Sequence, residues 1–109
     1  MDMLRDIWAK QMELDRHIME KAGKTREETL TARQLALIVE IGEFANELQS
    51  FKYWKHNKQI DQEKIKLEFV DMLHFMISIA GDIFVSAEEL HGWYMLKNSE
   101  NHQRQNDNY

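Results

Sequence analysis

Five carboxylates stand out by their spacing. Glu40, Glu43 and Glu47 recur at steps of three and four residues, and Glu68 and Asp71 repeat the three-residue step further along the chain. At 100° per residue the first group falls on one narrow strip of a helix. The other directions of that helix carry Leu35, Leu37, Ile38, Val39, Ile41, Phe44, Ala45 and Leu48. It is therefore apolar on more than one face, and its acidic strip points into an interior or a cleft. The second segment has the same design: Lys64, Glu68, Asp71, Ser78 and Asp82 share a strip with Phe75, and nearly every other direction is apolar. Two such helices packed antiparallel bring Glu40, Glu43, Glu68 and Asp71 together. Four converging carboxylates repel one another unless protons or a cation intervene. Oxygen-only ligands suit Mg²⁺ or Mn²⁺, which keep positions open for water and for phosphate oxygens. The competing reading is a pair of solvated helix faces, since Glu at i and i+3 is a common helical pattern; a matched pair of pairs on two otherwise apolar helices weighs against it. A di-iron carboxylate site would need a Glu-x-x-His unit on each of two helices. Only Asp71 and His74 come near that pattern, and a lone His beside the strip is more often a packing or hydrogen-bonding residue.

The elements that must position these groups are helices throughout. Proline is absent, glycine occurs four times and helix formers dominate. The first helix is expected from about Met3 to Ala22, with Leu4, Ile7, Trp8, Leu14 and Ile18 on one face and Gly23 as its stop. Thr25 and Glu28 have capping-box spacing and open a second helix that extends to about Trp54. The polar run 55–59 interrupts the pattern, Asp61 caps the third helix, and Ser86 with Glu89 opens the fourth. The tail after Arg104 is polar and expected to be loose. With no internal repeat and no composition shift, residues 1–109 read as one all-α domain.

Bulk composition narrows the partners. Fourteen basic and nineteen acidic residues leave a formal charge of -5, which is no footprint for nucleic acid or an anionic membrane. A polyanionic substrate would need metal ions as intermediaries. Cysteine is absent, so thiolate metal sites and disulfides are excluded. Asp2, Arg5 and Asp6 interrupt any N-terminal apolar run, and no apolar stretch is long enough to span a bilayer; the expected location is cytoplasmic. A chain of 109 residues buries a limited core, and its two central helices are apolar on more directions than two further helices can cover. A homodimer or homotetramer is expected.

The sequence Glu40-x-x-Glu43, followed at a distance by Glu68-x-x-Asp71, resembles the ExxE…ExxD signature of the all-α NTP pyrophosphatases, the superfamily that includes the MazG proteins and the dimeric dUTPases. The surroundings are closer to the dimeric dUTPase branch. LALIVEIGEFANELQSFKYW at 35–54 resembles its first metal motif, EFVDMLHFMIS at 68–78 its second, KNSENHQRQNDNY at 97–109 its terminal phosphate-binding motif and QMELDRHI at 11–18 its first helix. This resemblance implies a four-helix, MazG-like bundle completed by oligomerisation. It also implies Glu40, Glu43, Glu68 and Asp71 as Mg²⁺ ligands, with Glu43 orienting or deprotonating the attacking water. Lys97, Asn101 and Arg104 would hold the phosphates, with Tyr109 closing the same motif; their other reading is a solvated C-terminal turn favoured by the helix dipole. Gln11, central on the first helix's apolar face, can match the donor and acceptor of a uracil edge, or else be a structural amide bonded inside the protein. Trp54 and Phe75, each placed on a carboxylate strip, are candidates to pack on the base; Lys52 and His74 complete the substrate-side set.

Two departures from that branch matter. Only about a dozen residues separate Ser78 from the fourth helix, where longer members carry further helices, and Asn108 stands where Gly is usual. The reaction expected is hydrolysis of dUTP to dUMP and pyrophosphate by in-line attack of a metal-activated water. The alternatives are a less selective pyrophosphohydrolase acting on dCTP or damaged nucleotides, and a non-catalytic helical regulator.

Overall fold

The computed structural model describes residues 2–107 and comprises four helices: α1 (Met3–Ala22), α2 (Arg26–Leu48), α3 (Gln62–Ile83) and α4 (Ala87–Asn106). Local chemistry sets their ends. The Asp2 carboxylate accepts the Arg5 N–H, and Gly23 closes α1 in the left-handed conformation at φ 67°. Thr25 and Glu28 form a reciprocal capping box, with bonds of 3.1 and 3.0 Å. Asp61 accepts the N–H groups of Glu63 and Lys64. At α4, Ser86 accepts the Glu89 N–H, while the Glu89 carboxylate turns back to the Val85 N–H rather than to the cap itself.

Two expected boundaries are corrected. The second helix stops at Leu48 instead of running to Trp54, because Gln49 turns left-handed at φ 59° and its side chain ties down the segment that follows. Its amide donates to the Gln59 carbonyl at 2.8 Å and its oxygen accepts from Lys55 at 3.1 Å. At the other end of the chain the helix continues past Arg104 to Asn106, supported by the Arg104–Glu100 ion pair and a Gln103–Asp107 hydrogen bond.

Helices α2 and α3 pack antiparallel, with Arg33 against Asp82 near one end and Phe44 edge-on to Phe69 near the other. Helix α1 runs alongside α3 in the same sense, Gln11 meeting His74 and Asp15 meeting Ser78. Helix α1 lays the end of the Met12 side chain over Gly81, where a Cβ would fall 2.7 Å from its sulfur and methyl group. Between the three helices lies a polar clamp. Arg26 donates to Asp15 at 2.6 Å and to the Ser78 carbonyl at 2.9 Å, Arg33 forks onto Asp82, and the Ser78 hydroxyl donates to Asp15 at 2.8 Å.

Helix α4 leaves α3 at 99° and touches α1 at its base, where Ala87 is buried and Arg5 pairs with Glu88 at 2.6 Å. The result is an open shape. Its radius of gyration is 17.3 Å, against the ~13 Å of a compact domain of this length. Among the described residues only Ile77, Ala80 and Ala87 are buried apolar side chains, fewer than the buried polar ones. No single described helix is long and apolar enough to cross a membrane.

Candidate metal centre

The antiparallel pairing of α2 and α3 sets one acidic strip against the other. Carboxylate oxygens of Glu40, Glu68 and Asp71 lie within 4.8 Å of one another. Glu43 stands close enough to Glu40 and Glu68 to raise the proton affinity of both, and Glu47 adds to the field at Glu68. Burial contributes most to this rise, followed for both groups by the charges of Glu43 and Asp71. One oxygen of Glu40 and one of Glu68 are sealed from solvent with no hydrogen-bond partner. A buried carboxylate oxygen without a donor is costly, and here two share a site with further acids. The donor set, all oxygen and densely negative, fits a hard divalent cation.

The other expected site residues within the described chain fall into four places. Gln11 and His74 meet at 2.6 Å in a groove of about 460 Å³ between α1 and α3, walled by Ile7, Leu14, Val70 and Leu73. The Gln11 amide also donates to Asp15 at 2.8 Å, so the protein itself holds both ends of this side chain. Phe75 is half-buried one turn beyond Asp71 on the cluster's face of α3. Lys52 and Trp54 sit in the turn after α2, not on its acidic strip. Lys52 donates to Asn46 at 2.7 Å, and Trp54 packs edge-on to Tyr53 and Phe51.

Lys97 and Arg104 both pair with Glu100 on the exposed length of α4. Asp71 lies about 18 Å back from the end of α3, and Lys97 about 15 Å out along α4. With the helices at 99°, the two are separated by roughly 23 Å, beyond the reach of one side chain. Asn101 and Arg104 are further still. Tyr109 and Asn108 lie outside the described residues.

Pattern reading missed the polar clamp. Ser78 and Asp82 were visible on the acidic strip of α3, but their partners Asp15, Arg26 and Arg33 were not singled out. The available signal was the pair of arginines seven residues apart, two turns along one face of a largely apolar helix.

The family model for dUTPase matches residues 3–90, which takes in α1 to α3 and the start of α4. The chain belongs to the dUTPase family. As a dUTPase-family chain it is also similar to a dCTP pyrophosphatase of Enterobacteria phage T4, 41% identical over 49 residues. That stretch takes in 45% of this chain and 29% of the relative, so the chain spans well under two thirds of the curated relative's length. No solved structure matches it significantly. The family match ends before Lys97, Asn101 and Arg104, which rest on the motif alone.

Proposed function

We propose that this protein is a nucleoside triphosphate pyrophosphohydrolase that cleaves dUTP to dUMP and pyrophosphate. One observation carries the reading: in a chain of the dUTPase family, Glu40 and Glu68 turn partnerless buried oxygens into a cluster with Asp71. Glu40, Glu43, Glu68 and Asp71 would hold Mg²⁺, or Mn²⁺ in its place. When bound, the cation lowers the pKa of water and offsets the charge of the triphosphate. Glu43, at the edge of the cluster, orients the attacking water and takes up its proton. The water attacks a phosphorus in line, and pyrophosphate leaves. The base enters the groove between α1 and α3, where Gln11, oriented by Asp15, presents its amide beside His74, and Phe75 packs near the sugar or base. Lys52, Trp54 and Tyr109 are retained as substrate-side residues on the motif alone.

Lys97, Asn101 and Arg104 serve as phosphate ligands for a neighbouring subunit, a reading supported by the 99° between α3 and α4, which holds them roughly 23 Å or more from their own cluster. The assembly is a homo-oligomer, dimer or tetramer, supported by the open shape and the small apolar core. A second substrate reading, dCTP, is favoured by the named activity of the phage T4 relative. Pyrophosphate release from a panel of deoxynucleoside triphosphates, with and without Mg²⁺, tests all of this. Preference for dUTP supports the first reading, preference for dCTP the second, and no release with any nucleotide removes both.

A further inference from the structure

The groove between α1 and α3 has apolar walls, and its polar lining is Asp6, Lys10, Gln11 and His74. Asp6 and Lys10 approach each other at 3.9 Å, which leaves Gln11 and His74 to meet a base. Gln11 is only 6% exposed, while His74 stands exposed on the wall. What His74 offers a ligand is set by the partners behind it. The Asp15 carboxylate accepts from Arg26 at 2.6 Å and from the Ser78 hydroxyl at 2.8 Å, both on Oδ2, and from the Gln11 amide at 2.8 Å on Oδ1. A carboxylate in an ion pair only accepts. The Gln11 amide is therefore held with its nitrogen toward Asp15, since the flipped amide would set two acceptors face to face. Its oxygen then faces His74 Nδ1 at 2.6 Å. An amide oxygen only accepts, so Nδ1 carries the hydrogen. In a neutral imidazole the other nitrogen, Nε2, is then an acceptor.

We infer that Arg26 and Asp15 are positioning residues that set the hydrogen-bond polarity of the base groove. Through Gln11 they fix His74 as the Nδ1–H tautomer, whose Nε2 accepts from the base and selects uracil over cytosine. The inference rests on the nucleotide reading above and decides between its two substrates. The middle of a pyrimidine's pairing edge is N3, which carries a hydrogen in uracil and a lone pair in cytosine. An acceptor facing it gains a hydrogen bond with the first and meets a second acceptor in the other. Asp15 is itself 5% exposed, so it acts on the base through its neighbours.

Two measurements test this in the full chain. Nitrogen-15 shifts of the His74 ring report its tautomer at mildly alkaline pH, where imidazole is neutral; comparison with His74→Asn assigns the signals among the five histidines. Nδ1–H is expected in the wild type, and Nε2–H overturns the polarity chain whatever the substrate proves to be. The second measurement is kcat/KM for dUTP and for dCTP. In Asp15→Asn either an oxygen or an amine can turn toward Gln11, so the polarity is released and the dUTP-to-dCTP ratio is expected to fall about tenfold. Ser78→Ala takes a bond from Asp15 but leaves its charge; it is expected to lower stability and keep the ratio, which separates polarity from loss of structure. A ratio unchanged in Asp15→Asn, or a wild-type preference for dCTP, overturns the selection. If Asp15→Asn does not fold, the wild-type tautomer and preference still decide. If the wild type hydrolyses neither nucleotide, the proposed function falls and the selection with it, while the ring spectra still read the polarity.

Discussion

Glu43 and Glu40 sit a turn apart in one acidic cluster but face different tests. Glu43→Gln keeps the shape of the side chain and removes the charge that orients water; turnover is expected to fall to background with the circular dichroism spectrum unchanged. Activity within a few-fold of wild type would remove Glu43 from the mechanism. Glu40 and Glu68 hold their protons more tightly than ordinary carboxylates, through burial first and then through the surrounding acids. For an acid whose folded pKa is raised, the charged form opposes folding at neutral pH, and stability is regained as pH falls through the raised value. Metal-free protein is therefore expected to melt higher as pH drops from neutral into that range. Saturating Mg²⁺ abolishes this rise, because the cation replaces the proton. Thermal melts across pH in chelator and in Mg²⁺ check it, and identical profiles in the two would mean that the cluster does not bind the metal.

At the scale of elements, the clamp between α1, α2 and α3 holds the acidic strips in register. Arg33 and Asp82 are nearly buried, and removing one partner leaves an uncompensated charge. Arg33→Ala is expected to destabilise the chain by about 3–5 kcal/mol, measured by urea unfolding; a loss below ~1 kcal/mol would show the pair to be solvated. Burial pushes the Asp82 carboxyl up, but its bonds and charge pairing with Arg33, then Arg26, outweigh that and hold it below the usual aspartate range. Its contribution is present above the unfolded pKa and is lost as pH falls through the depressed folded value. Acid unfolding of wild type should thus show a strongly acidic limb that Asp82→Asn lacks. Helix α4 is the contrasting element, anchored at Ala87 and exposed beyond it. Truncation after Leu96 is expected to weaken binding of a non-hydrolysable dUTP analogue while leaving divalent-cation binding in place. Unchanged nucleotide affinity in calorimetry would remove Lys97, Asn101 and Arg104 from the site.

As a single chain the molecule is open, with a radius of gyration of 17.3 Å, in keeping with the proposed homo-oligomer. The three apolar side chains buried among the described residues supply little of the burial that ordinarily offsets chain entropy, and the cations of α4 lie too far along their helix to reach the carboxylates of α2 and α3 in the same chain. Both point to shared active sites. Mixing inactive Glu43→Gln subunits with inactive Arg104→Ala subunits is expected to restore about half of the activity per mixed dimer, because one of the two sites is then intact, and about a quarter in a random equimolar mixture. No recovery, with subunit exchange demonstrated independently, would place each site within one chain.

Much of this was legible in the residues before any fold was known. Period and capping chemistry located α1 from Met3 to Ala22 and the starts of α2, α3 and α4, because caps and apolar stripes act within a few residues. The four carboxylates were legible for the same reason: a three-residue step on a helix puts two side chains on one face whatever surrounds it. Tertiary structure decided the rest. The end of α2 depends on Gln49 bonding to Gln59 and Lys55, beyond the range of a helical pattern. The partners of the Gln11 amide, Asp15 on its own helix and His74 on another, came from the packing of α1 on α3. The separation of the terminal motif from the carboxylates follows from the angle between α3 and α4, which no spacing along the chain encodes. Local order is determined by neighbours in sequence, whereas the direction in which one helix leaves another is determined by what it packs against.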